Sequence, residues 1–252
     1  MDKKYLHLQD EALKILHDKG IFTVATSINL EDYEKTLDLA KKSPNILPTF
    51  GLFAHYALEY KPEIHNPVME KSRILSEIGL TSMNMDPNLD YKKMEDVFRI
   101  LLEHAEKAEK IVICHTSSED EKALDILDKY SLPGVVIHGF RASHDLLQKI
   151  IDKGYYVSVG AMILDLFKER KNWNQSRSIA AEIPLDLLLT ETDGPAPSIG
   201  LTTETIIQVV DTVAELKHES HQEIKSTVFS NFRKLIGRDI GLCKFSEVLS
   251  RT

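Results

Sequence analysis

Four apolar runs in this chain end in side chains that bind hard or borderline cations. Ile74-Leu75-Ser76 runs into Glu77, Ile111-Val112-Ile113-Cys114 into His115, and Val135-Val136-Ile137 into His138. The fourth, Leu187-Leu188-Leu189, runs into Glu191 and Asp193 ahead of Gly194-Pro195. A short apolar run bounded by turn residues reads as a buried strand. A carboxylate or imidazole where such a strand stops is held rigidly at a cavity mouth, where an α/β barrel keeps its chemistry. Glu, His, His and Asp together make a ligand set suited to zinc, manganese or magnesium. Such an ion lowers the pKa of bound water toward ~7 in favourable zinc sites. An aspartate beside it can take the proton as the water attacks.

The elements that must position these groups alternate along the whole chain. Ala12, Leu13, Ile15 and Leu16 stand at helical spacing and Gly20 stops them. Further helices are expected over residues 29–42, from Asn66-Pro67 toward Ile74, and over 91–107, 119–129, 144–152, 164–171, 177–181, 203–217 and 222–236. Strands are expected near Ile21, Ile46, Ile74, Ile111, Val135, Tyr155 and Leu187, and residues 81–89 read as a loop over the strand ends. Strands separated by helices imply βαβ units and a parallel sheet. With 252 residues and no Gly/Ser linker or repeat, the expected fold is one α/β domain over residues 1–252, a TIM-like (β/α) barrel. Seven strands are one fewer than a barrel requires, so the first is expected to be missing or altered.

Composition narrows the function classes. The net charge is -8, which argues against a general nucleic-acid-coating surface but not against a cleft that admits phosphate to a metal. No apolar run approaches the ~20 residues of a membrane span, and Met1-Asp2-Lys3-Lys4 has no signal-peptide core behind it; a cytoplasmic location without membrane contact is the expectation. Two lone cysteines, Cys114 and Cys243, make neither a disulfide framework nor a thiolate cluster. Cys114 reads as a small core residue.

Taken in order, these motifs resemble the TatD family of metal-dependent hydrolases, within the amidohydrolase-like barrels, from about Gly20 to Gly237. Glu77-Ile78-Gly79-Leu80 resembles E-x-G-L-D with Thr81 in the Asp position, and His115-Thr116-Ser117-Ser118-Glu119 resembles H-[ST]-R-[DE]-A with Ser117 in the Arg position. His138-Gly139-Phe140-Arg141-Ala142-Ser143 resembles H-x-F-S-G-S, and Gly154 to Gly160 the G-x-Y-x-S strand. Glu191-Thr192-Asp193-Gly194-Pro195 matches E-T-D-x-P, and Asn231 to Leu235 the terminal helix. The resemblance implies that Glu77 bridges two metals, that His115 and His138 bind one, and that Asp193 binds the other and positions the attacking water. It implies hydrolysis of DNA phosphodiesters, often from an end, with one or two divalent ions and DNA or another phosphodiester as a transient partner. The family's opening D-x-H-x-H has no counterpart, and His7 is a lone histidine read as a helix-start or surface residue. A truncated or miscalled start and the loss of one metal site both account for this. An impaired accessory barrel, and an amidohydrolase or lactonase acting on a small molecule, stand as the alternative functions.

Other residues bear on the cleft. Gly51-Leu52-Phe53-Ala54-His55 resembles G-x-H-P-H with Phe53 in the first His position. His55 is a substrate-binding candidate or a loop histidine. Arg141, one short turn past His138, is a phosphate contact or a surface ion pair. Glu191 is read as orienting its neighbours rather than binding metal. His65, His104, His144, His218 and His221 read as structural, capping or solvated.

Overall fold

The computed structural model describes residues 8–82, 89–116, 118–194, 202–238, 242 and 245. His7, Ser117, Cys243, Pro195 and most of the expected 81–89 loop lie outside the described residues. The chain divides into two compact units, Gly20–Val136 with Leu235–Thr252, and Met1–Lys19 with Ile137–Lys234.

The first unit alternates strand and helix. β1 (Thr23–Ala25) leads to α2 (Leu30–Lys42); α1 (Gln9–Asp18) belongs to the other unit. Asn29 starts α2 because its side chain accepts the Asp32 N–H at 3.0 Å, satisfying a donor the first turn leaves open. The expected single strand over 45–52 is two: β2 (Ile46–Pro48) pairs in parallel with β1, and β3 (Phe50–Gly51) pairs in parallel with β4 (Ile74–Gly79). Thr49 makes the hand-over. Its N–H donates to the Ala25 carbonyl at 3.0 Å and its hydroxyl lies 2.7 Å from that of Ser76. This break brings the described strands to eight against the seven expected.

α3 runs Pro62–Lys71 and carries Pro67 inside it, so the helix expected to begin at Asn66-Pro67 begins a turn earlier. Pro62 takes the first helical position, where its missing N–H costs nothing. A buried lysine closes the far end: the Lys110 ammonium donates to the carbonyls of Glu70 and Ser72, at 3.1 and 2.5 Å. α4 (Tyr91–Lys107) and β5 (Ile111–His115) have the expected bounds. The α4 stripe Met94, Val97, Phe98, Leu101, Leu102 and Ala105 is buried, as its spacing requires. α5 (Asp120–Leu127) follows.

In the second unit, α6 (His144–Asp152) keeps its expected bounds and Ser143 caps it. β7 (Tyr156–Val159) pairs in parallel with β8 (Leu188–Thr190). The helix expected over 164–171 is instead a pair of 3-10 turns, Ala161–Ile163 and Asp165–Phe167. Leu164 and Phe167 are buried while Leu166 is 54% exposed. α7 (Trp173–Glu182) is longer than expected; α8 (Thr202–Lys217) and α9 (His221–Ile236) complete the unit's helices. β6 (Val135–His138) spans the division of the chain; the strand order is β3-β4-β5 in the first unit, and β7 neighbours β8 in the second. No described helix is long and apolar enough to cross a membrane.

Candidate metal centre

The end of β4 is irregular in a way that aims Glu77. Leu75 pairs with Val112 and Ile78 with Cys114, so β4 spends one residue more than β5 over the same span. Such a bulge redirects a side chain at the cost of a ladder bond. Glu77 carries the distortion at φ +51°, a region a non-glycine residue occupies only when its surroundings impose it. Two residues on, Gly79 has φ +154°, and a Cβ there would come within 1.8 Å of the His115 carbonyl oxygen. Only glycine lets β4 approach β5 this closely. The outcome is a buried Glu77 carboxylate with Oε2 3.7 Å from His115 Nδ1. Neighbouring Cys114 is fully buried; burial first, and the Glu77 charge second, push its thiol well above the usual range, so it stays a neutral core side chain.

At the end of β6, His138 Nδ1 lies 3.2 and 3.3 Å from the two carboxylate oxygens of Glu191. Glu191 also accepts the Ser158 hydroxyl, and its own N–H donates to the Val159 carbonyl at 2.9 Å, extending the β7–β8 ladder by one bond. Asp193 has φ +52°, a second acidic residue forced into the left-handed region at a strand end. Solvent reaches Asp193, yet the protein around its carboxyl strips enough hydration to raise its pKa. His138 opposes the rise, Glu191 adds to it and Arg141 opposes it.

Of the four expected ligands, Glu77 and His115 stand together in the first unit, while His138 and Asp193 belong to the second. Two imidazoles and one carboxylate are the donor set of a divalent first-row cation, so the residues present fit a metal. Arg141 is half-buried, and its charge acts on Asp193. His55 is half-buried, with the Phe53 ring stacked on it at 5.0 Å and 8°. Its Nδ1 is buried without a hydrogen-bond partner. The same Phe53 ring meets His115 edge-on at 4.9 Å, so the residue in the family's histidine position forms an aromatic wall. Sequence reading assigns no role to this contact, and it meets Ser158 only as the serine of the G-x-Y-x-S resemblance.

Among the described residues, three further histidines have partners of their own. His65 is buried and bonded to the Lys61 backbone at the start of α3. His144 and His221 are exposed and pair with Glu182 and Asp211.

Comparison with known proteins agrees with the strand-end pattern. The family model described as TatD related DNase matches residues 1–237. The chain is 25% identical over 182 residues to a Salmonella typhimurium protein named 3'-5' ssDNA/RNA exonuclease TatD, covering 70% of this chain and 68% of that one. It is 23% identical over 248 residues to an uncharacterized metal-dependent hydrolase of Methanocaldococcus jannaschii, covering 94% of each. Among solved structures, the TatD homologue YjjV of Escherichia coli superposes with a TM-score of 0.80 at 21% identity, covering 92% of this chain and 93% of that one. A TatD family hydrolase of Entamoeba histolytica superposes with a TM-score of 0.74 at 17% identity, covering 92% and 89%. These likenesses identify the fold as the expected TIM-like α/β type.

Proposed function

Because this chain belongs to the TatD family of metal-dependent hydrolases, we propose that it cleaves DNA phosphodiester bonds with a divalent cation held by Glu77, His115 and His138. The observation that carries this reading is the buried Glu77 carboxylate beside the His115 imidazole, 3.7 Å apart at the ends of β4 and β5, with His138 at the end of β6 completing the donor set. A cation held there supplies Lewis acidity toward a phosphoryl oxygen and activates water. Asp193, with its raised proton affinity, takes the proton from the attacking water and returns it to the leaving oxygen. Arg141 meets a phosphate oxygen of the substrate, and His55 with Phe53 lines the approach. The relative named as a 3'-5' ssDNA/RNA exonuclease supports a nucleic-acid substrate cut from an end.

The test is hydrolysis of single-stranded DNA labelled at either end, with manganese, magnesium or zinc, beside a panel of lactones and simple esters. Metal-dependent release of nucleotides from one DNA end is expected. Turnover of lactones with none of DNA would overturn the nuclease reading in favour of a small-molecule hydrolase. Metal uptake without turnover of any substrate would favour an accessory protein.

A further inference from the structure

Glu191 is held by more contacts than a ligand-free strand end would need. Its carboxylate accepts from Ser158 Oγ and lies against His138 Nδ1. Two glycines make the room for it. A Cβ at Gly160 would stand 3.0 Å from Glu191 Oε1 and 3.1 Å from its Cγ, and one at Gly139 3.4 Å from Oε1. The side chain is thus fixed on one edge by a hydroxyl, flanked by two positions without side chains, and presented to a single imidazole nitrogen.

That arrangement has one chemical consequence. A carboxylate has no proton to give, so the bond requires the proton on His138 Nδ1. With Nδ1 protonated, the lone pair of the neutral ring is on Nε2. We propose that Glu191 is a positioning residue that holds His138 in the Nδ1–H tautomer and fixes its ring plane, so that Nε2 is the nitrogen offered to the cation. This rests on the metal-centre reading above and deepens it. A carboxylate behind a ligating histidine also raises the basicity of the ligating nitrogen, and loss of such a partner costs ~10–100-fold in metal affinity. Ser158 serves the same end one bond further out, because its hydroxyl leaves Glu191 fewer rotamers in which to swing away.

The test reads the tautomer directly. Two-bond 15N–1H correlation spectra of metal-free protein at pH 8 report which nitrogen of His138 carries the proton, and zinc affinity is measured in parallel by competition with a chromophoric chelator. Wild type is expected in the Nδ1–H form. Glu191→Ala is expected to shift His138 toward Nε2–H and to weaken zinc ~10–100-fold. Glu191→Gln, whose amide oxygen still accepts from Nδ1, is expected to keep the tautomer and bind zinc between the two. An unchanged tautomer in Glu191→Ala, or zinc affinity within twofold of wild type, would overturn the assignment. Should Glu191→Ala not fold, Glu191→Gln with wild-type zinc affinity would do so. Wild-type protein that takes up no zinc would instead overturn the metal centre itself, which separates the two failures.

Discussion

At the scale of single residues, the proposed site relies on two acidic side chains held at positive φ, Glu77 and Asp193. Asp193→Asn keeps the shape and removes the proton acceptor, so hydrolysis is expected to fall ~10²–10⁴-fold, the usual worth of a positioned acid–base group. The same variant has a pH signature in metal-free protein. The folded-state pKa of Asp193 is raised, chiefly by loss of hydration, so the folded state binds that proton more tightly than the unfolded chain. The stability this confers is complete below the ordinary carboxylate value of ~3.9 and is lost as pH rises through the folded value. Asp193→Asn lacks that loss, so its melting temperature relative to wild type is expected to climb between pH 3.5 and neutrality. The climb is small because solvent reaches the carboxyl; a difference that stays flat or falls with pH would contradict the account. That Glu77, His115 and His138 stand at or near strand ends was legible in sequence, because each follows an apolar run long enough to fix a strand. The Glu191–Ser158 contact was not, since nothing in the chain order announces that residues 33 apart share a hydrogen bond.

At the scale of elements, glycine and a buried lysine set the frame. Gly79→Ala would drive a methyl into the His115 carbonyl and force β4 and β5 apart where the two ligands face each other. A loss of more than ~3 kcal/mol in urea unfolding, with metal binding abolished, is expected. Lys110→Met keeps the length of the side chain and removes its donors, leaving the buried carbonyl contacts of Glu70 and Ser72 unmade. About 2–3 kcal/mol is the expected cost, read by the same denaturation curves; no change would mean that water replaces the ammonium. Sequence reading met α4, β5, β6 and α6 at their bounds because apolar periodicity and a turn residue coincide there. It failed at Pro67, where proline sits inside α3 and Pro62 marks the start. It failed again at 164–171, where bonds from Lys168 to Asp165 and from Arg170 to Phe167 close three-residue turns. The bulge at Glu77 has no sequence signal at all, because a one-residue register change leaves the apolar run intact.

At the scale of the molecule, charge and metal are the two quantities that matter. A chain of net charge -8 has little general attraction for a polyanion, so the proposed activity requires that DNA be held by the cation and a few side chains such as Arg141. Proteins that neutralise six to ten phosphates lose ~10³–10⁵ in affinity between 50 and 200 mM salt. With about two phosphate contacts, KM for single-stranded DNA is expected to rise less than ~10-fold over that range; a rise beyond ~10³-fold would reveal a basic track that this account lacks. The most direct test of the central claim is the metal content of protein equilibrated with manganese or zinc and then desalted, measured by plasma mass spectrometry beside the Glu77→Ala variant. At least one ion per wild-type chain, lost from the variant together with DNA hydrolysis, is the predicted result. A wild-type chain that retains no ion, or a variant that retains as much as wild type, would contradict a metal centre built on Glu77, His115 and His138.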